Sequence, residues 1–66
     1  MEVMIGKNAG VVWDSLEVLG ENTAIRIAKN TKLKLNDVYA ALGWLGREGK
    51  IFAFKKNSRV LYRLNV

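Results

Sequence analysis

Apolar residues recur along the first third of the chain at the spacing of one helical face. From about Ile5 to Leu19 they fall three or four residues apart, as an amphipathic helix requires. The predicted inward positions are Ile5, Ala9, Val12, Trp13, Leu16 and Leu19. Gly20 follows directly and predicts a left-handed turn that ends the helix. Gly10 interrupts the pattern. Because glycine costs about 1 kcal/mol in a helix interior relative to alanine, it predicts a closely packed neighbour.

A second, shorter helix is predicted after this turn. Thr23 is a suitable N-cap, because its hydroxyl can accept a hydrogen bond from a backbone N–H of the first turn. Ile25, Ile27 and Ala28 then form an apolar patch. The pattern is interrupted by the segment TKLK, so we expect the helix to end near Thr31.

A third helix is predicted to begin around Leu35–Asp37 and to end at Gly49. At about 100° per residue, one face collects the apolar residues Leu35, Val38, Ala41, Leu42 and Leu45. The opposite face carries Asn36, Ala40, Gly43 and Arg47. Trp44 lies on the flank. This outer face has few groups that could read a base pair.

The C-terminal segment is typical of a β-hairpin. The runs KIFAFK and RVLYRL are rich in β-formers and are joined through a short loop at Asn57-Ser58. This loop places on one face the residues Ile51, Ala53, Val60, Tyr62 and Leu64. It places on the other face Phe52, Phe54, Leu61 and Arg63. Both faces are largely apolar, although a small domain needs to bury only one. A loop shifted by one residue would exchange the two faces.

The charge distribution divides the chain into unequal parts. The 66 residues predict one domain, residues 1–66, with 11 basic and 6 acidic side chains and a net charge of +5. Residues 1–22 hold one base and four acids, a net charge of −3, whereas residues 23–66 hold ten bases and two acids, a net charge of +8. The basic part favours an anionic partner, most commonly nucleic acid, although solubility alone also explains such a balance.

Composition excludes several classes of site. The chain has no cysteine and no histidine, which excludes disulfides and zinc fingers, and we expect no metal and no cofactor. Apolar runs stay well below the roughly 20 residues of a membrane span, and the N-terminus lacks a signal peptide. We therefore expect a cytoplasmic protein with no membrane partner. Hydroxyl groups without a neighbouring base, and carboxylates without metal spacing or a phosphate loop, argue against an enzyme.

The order of the predicted elements is helix, short helix, tight turn, longer helix and basic hairpin. This order predicts a winged helix-turn-helix, mostly α with a C-terminal β-hairpin (α+β), and it allows a minor strand before the second helix. In such a fold three helices share a core, the third presents its outer face to a major groove, and the hairpin reaches flanking phosphates.

Two segments resemble a known family. The segments IGKNAGVVWDSL and VYAALGWLGREGKI match the motifs I-G-x-N-A-G-x-V-W-x-x-L and V-Y-x-A-L-G-W-L-x-R-E-G-K-I. These motifs are typical of a small prokaryotic winged helix-turn-helix family of unknown function. The resemblance covers essentially the whole chain and implies a stand-alone winged-helix protein that forms a homodimer. The chain departs from the family in the turn, where Lys32 and Lys34 replace the usual glycine and serine.

The leading functional hypothesis is sequence-modest binding of double-stranded DNA, with a role in transcription regulation. The candidate contacts are Lys32, Lys34, Asn36, Arg47, Lys55, Lys56 and Arg59. Asparagine can pair bidentately with adenine, whereas the cations suit phosphate. Two structural alternatives stay open at this point. Asn36 could instead cap the third helix, and the wing cations could instead guard the strand edges against aggregation.

A rival hypothesis is a dimerising protein-interaction module of the same fold that does not bind DNA. It rests on the second apolar face of the hairpin and on the bare outer face of the third helix. The candidate interface residues are Trp44, Phe52, Phe54 and Leu61. Tryptophan is enriched in interfaces, but the position of Trp44 on the flank of the helix favours the edge of the core.

Overall fold

The computed structural model describes the backbone of residues 2–65 and the side chains of residues 6–65. Its elements in chain order are α1 (Glu2–Leu19), α2 (Ala24–Thr31), α3 (Leu35–Arg47), β1 (Ile51–Lys56) and β2 (Arg59–Leu64). The predicted winged helix-turn-helix is confirmed. The first helix begins earlier than its apolar pattern indicated, and the predicted inward position of Ile5 lies outside the described side chains.

The three helices and the base of the hairpin enclose one apolar core. Its members are Ala9, Val12, Leu16, Ala24, Ile27, Val38, Ala41, Leu42, Leu45 and Ile51. Trp13 and Trp44 are half-buried against this core. The buried Ser15 hydroxyl donates a hydrogen bond of 2.6 Å to the side-chain oxygen of Asn30, which ties α1 to α2.

Helix α2 has the predicted cap and the predicted end. The Thr23 hydroxyl oxygen accepts a hydrogen bond from the Arg26 backbone N–H at 3.2 Å. Ile27 is fully buried, but Ile25 is 57% exposed, so the predicted apolar patch was wrong for Ile25. The reason is geometric, because residues two apart on a helix lie about 200° apart around its axis and cannot share a face.

Helix α3 ends in a Schellman motif. The Gly49 N–H donates to the Gly46 carbonyl at 3.0 Å and the Lys50 N–H donates to the Leu45 carbonyl at 2.9 Å. Gly49 has a φ of +72°, a conformation that glycine adopts without strain. Leu35, at the start of the helix, is 39% exposed, so the predicted inward face begins at Val38.

The hairpin adopts the predicted loop and register. Ile51 pairs with Leu64, and Lys56 pairs with Arg59. Asn57 and Ser58 have φ values of 52° and 65°, as a type I′ turn requires. The Ile51 face packs on the core and the Phe52 face points outward.

The other edge of β2 carries a single bridge to the segment before α2. Asn22 and Tyr62 exchange two backbone hydrogen bonds of 3.0 and 2.9 Å. This bridge corresponds to the minor strand that the sequence allowed. It fixes the hairpin against the N-terminal end of α2.

Gly10 does not have the close neighbour that its position in α1 suggested. It is exposed, and a Cβ added there meets nothing within 4 Å. We therefore expect Gly10→Ala to raise the free energy of unfolding by about 0.5–1 kcal/mol, because alanine has less backbone freedom to lose. Gly49→Ala is the control and should lower stability, since its φ is +72°. Urea unfolding of both variants measures the two effects, and a destabilised Gly10→Ala variant would contradict the open environment of Gly10.

Candidate nucleic-acid interface

The outer face of α3 is exposed along its whole length. Asn36, Ala40, Gly43 and Arg47 are all exposed. The N-cap of the helix is Lys34, and Asn36 lies in the first turn without a capping bond. Its amide is therefore available to an outside partner. Arg47 lies 11 residues further along, about 16 Å from Asn36 at the helical rise, so the two side chains lie at opposite ends of the helix.

The turn before α3 places two lysines where other residue types would be more stable. Lys32 has a φ of 64°, in the left-handed region that favours glycine. Its N–H donates to the Ala28 carbonyl at 2.8 Å and so closes α2. Lys34 occupies the N-cap of α3 and makes no side-chain capping bond, which serine could provide. Both side chains are exposed and both charges point away from the core.

A shallow groove of about 470 Å³ joins the wing to α3. It lies between the start of α2, the middle of α3 and strand β2. Its lining residues are Thr23, Ala24, Ile25, Tyr39, Arg59, Val60 and Tyr62. We call it the wing groove. Lys55 pairs with Val60 across the hairpin, so its side chain extends from the same hairpin face as Val60.

The wing groove contains residues that the sequence did not single out. Ile25, Tyr39 and Tyr62 come from separate segments, and only the bridge at Asn22 and the packing of α3 bring them together. The V-Y dipeptide of the family motif was the one available signal, and it gave no role for Tyr39.

The two tyrosines of the wing groove add polar groups to an apolar wall. Burial raises the pKa of the Tyr62 phenol above its ordinary value, and the neighbouring Tyr39 raises it further. Tyr62 is therefore uncharged at neutral pH and retains a hydroxyl donor. A neutral donor in a groove that Arg59 also lines suits an anionic ligand.

The remaining predicted contacts do not share this groove. Lys56 lines a second groove on the outer face of the hairpin, of about 390 Å³. The other lining residues of that groove are Glu21, Phe52, Phe54 and Arg63. Arg47 lies with Trp44 and Glu48 at the end of α3.

The predicted interface residues are likewise divided. Phe52 and Phe54 lie together in the outer hairpin groove, and the half-buried Leu61 pairs with Phe54 across the strands. Trp44 lies apart from them at the edge of the core.

Two further findings concern the described part of the chain. None of its helices combines the length and the apolar character needed to cross a membrane. Among the described side chains, there is no group of three or more His, Cys, Asp or Glu residues that could hold a metal ion.

The three packed helices with an antiparallel hairpin define a winged helix-turn-helix protein. The chain belongs to the family described as winged helix-turn-helix domain (DUF2582), whose model matches residues 1–64. The resemblance drawn from the two sequence motifs is thereby confirmed at the level of the family.

Solved structures share this fold. One is the Zalpha domain of PKZ from Carassius auratus in complex with Z-DNA, with a TM-score of 0.83 and 23% identity over 92% of this chain and 97% of that chain. Another is protein BT2368 from Bacteroides thetaiotaomicron, with a TM-score of 0.89 and 29% identity over 97% of this chain and 79% of that chain. The curated proteins include no match to the chain.

Proposed function

We propose that the protein binds duplex DNA through α3 and the wing groove, mainly by contacts to phosphate, and that it acts in transcription regulation. The observation that carries the proposal is the wing groove itself. It joins Arg59 of the wing to Tyr39 of the recognition helix, in the part of the chain that carries a net charge of +8. A duplex lying along α3 meets the wing on the same side.

The first half of α3 is the part that enters the major groove in this proposal. Asn36 is the one candidate for direct base readout, because its amide can pair with adenine. Lys32 and Lys34 contact the phosphates on either side of that position. Ala40 and Gly43 leave the middle of the helix flat, so the helix approaches the bases closely and reads few of them. Binding therefore has only a modest preference for particular DNA sequences.

The wing supplies further phosphate contacts. Arg59 lines the wing groove and Lys55 extends from the hairpin face of Val60, whereas Lys56 lines the outer hairpin groove and Arg47 lies at the far end of α3. We therefore rank Arg59 and Lys55 above Lys56 and Arg47. The PKZ Zalpha domain, which was solved with Z-DNA, supports the proposal only at the level of fold.

Two arginines of β2 offer a matched test. Arg59 lines the wing groove, whereas Arg63 lies over the Phe52 ring on the outer face, with its guanidinium carbon 5.7 Å from the ring centroid. Each alanine substitution removes one positive charge. One phosphate contact is worth about eightfold in affinity at 0.1 M salt, given a slope of about 0.9 per phosphate.

We expect Arg59→Ala to bind a labelled duplex about eightfold more weakly in a fluorescence anisotropy titration, and Arg63→Ala less than about twofold more weakly. Equal losses in the two variants would mean that only net charge matters and would remove the wing groove from the proposal. The same titration with a duplex held in the Z form tests whether helix handedness changes the affinity.

A further inference from the structure

The free edge of the hairpin carries backbone groups that the DNA proposal does not use. Strand β2 is paired on both sides, with β1 and with Asn22, whereas among the described residues β1 is paired only with β2. The wing groove is lined from β2, so it lies on the other side of the hairpin from this edge. A partner at the β1 edge would leave the wing groove open.

The register determines which backbone groups point to the free edge. Tyr62 turns its N–H and C=O towards Asn22, so its partner Ala53 makes no ladder bonds with β2. Hydrogen-bonded and non-hydrogen-bonded pairs alternate in an antiparallel ladder, so Ile51 and Lys55 also point their backbone N–H and C=O groups away from β2. Their backbone groups have no partner among the described residues. Such an edge is a template for another strand.

The side chains next to this edge are apolar. The run from Ile51 to Phe54 has no charge, no proline and no bulge, and charges appear only at Lys55 and Lys56 near the tip. Phe52 is 47% exposed and shares the outer groove with Phe54. The natural means of blocking an edge are thus confined to its last two residues.

We propose that β1 pairs with β1 of a second copy of the chain, antiparallel and centred on Ala53. In this register each Phe52 lies opposite Phe54 of the other copy, which forms two aromatic cross-strand pairs on one face. The small Ala53 lies at the twofold axis, and the contact is isologous. The result is one continuous sheet across the dimer.

The register centred on Ala53 keeps the two Lys55 side chains apart. With Ala53 at the axis, the two Lys55 side chains lie four residues apart along the strand, about 14 Å, which exceeds the Debye length of about 10 Å at 0.1 M salt. Centring on Phe54 would halve this separation. Lys56 of each copy lies directly opposite Lys50 of the other copy, and this repulsion at the two ends of the paired region weakens the dimer.

The contact is small, so the dimer is weak. One strand pair with four phenylalanines buries less than the roughly 1,200 Å² of a stable interface. Each copy carries a net charge of +5, so added salt screens repulsion and strengthens the dimer. DNA binding has the opposite salt dependence, since it weakens as salt is added. The two proposals can therefore fail independently, and the salt dependence shows which one has failed.

Sedimentation equilibrium of the whole chain at low and high salt tests the proposal. We expect reversible dimers that strengthen with salt. Ala53→Pro removes an N–H that β2 does not use, and Phe52→Lys places two new charges between the strands. Both variants should associate at least tenfold more weakly. Val60→Lys, at a residue that is 45% exposed on β2, should dimerise like the parent.

The result that overturns the proposal is a parent protein that stays monomeric up to about 1 mM, or dimers that both Ala53→Pro and Phe52→Lys leave intact. Circular dichroism confirms that each variant is folded. If Ala53→Pro is unfolded, Phe52→Lys decides alone, because its side chain lies outside the core.

Discussion

The double variant Lys32→Gly/Lys34→Ser is expected to bind duplex DNA about 60-fold more weakly at 0.1 M salt and to be more stable than the parent. The loss follows from two phosphate contacts at about eightfold each. The gain in stability follows from the local backbone. Glycine relieves the left-handed conformation at Lys32, and serine can cap α3 at Lys34. Together they should add about 1–2 kcal/mol to the free energy of unfolding.

The opposite signs make this variant informative. If the lysine pair only kept the protein soluble, the variant would gain the same stability but would show no specific loss of binding. The control Lys7→Ala/Arg63→Ala removes the same charge from α1 and from the outer face of the hairpin, and we expect it to weaken binding only a few-fold. Anisotropy titration and thermal unfolding measure both effects. Equal binding losses in the two double variants would contradict a specific role for the turn.

Ile27→Ala is expected to lower the free energy of unfolding by about 2–5 kcal/mol, the largest effect on stability that we predict. Ile27 is fully buried where α2 meets the other helices. A domain of 66 residues is stable by only about 3–10 kcal/mol. A large share of the molecules should therefore be unfolded at 37 °C.

The same substitution two residues earlier is the control. Ile25 is 57% exposed in the wing groove, so Ile25→Ala should change stability by less than about 0.5 kcal/mol. Chemical denaturation measures the free energy of unfolding of both variants, provided that its dependence on denaturant concentration is the same for the two. Similar losses for the two isoleucines would contradict the placement of α2 on the core.

The local features of the fold could be predicted because each depends on a few neighbouring residues. Thr23 supplies its own capping oxygen, Gly49 permits the left-handed turn, and Asn57-Ser58 tolerates the two positive φ values of a tight hairpin turn. The sequence left a loop shifted by one residue open, and the structure has the register of the Asn57-Ser58 loop. The motifs then indicated the family, which the match over residues 1–64 confirmed.

The features that could not be predicted depend on packing between distant segments. The wing groove joins residues 23–25 to Tyr39 and to residues 59–62, and no pattern along the chain relates them. Apolar character also gave no means of telling the exposed Ile25 from the buried Ile27. Gly10 was misread for the same reason, since its surroundings are set by where the other helices lie.

The seven predicted DNA contacts include residues whose place could be predicted from the sequence and residues whose place could not. Sequence position was sufficient to place Lys32, Lys34 and Asn36 together at the start of α3. It could not separate Arg59, which lines the wing groove, from its cross-strand partner Lys56, which lines the outer hairpin groove. The direction of a side chain near a hairpin tip depends on strand twist and on the neighbouring helix.

The salt dependence of duplex binding tests the central claim most directly. We expect the logarithm of the association constant to fall linearly with the logarithm of the salt concentration for the parent protein. The line for the parent should be steeper than the line for Lys32→Gly/Lys34→Ser, by about 1.8 in slope, which corresponds to two phosphates at about 0.9 each. No binding at low salt, or parallel lines for the two proteins, would contradict a DNA interface built on α3 and the turn that precedes it.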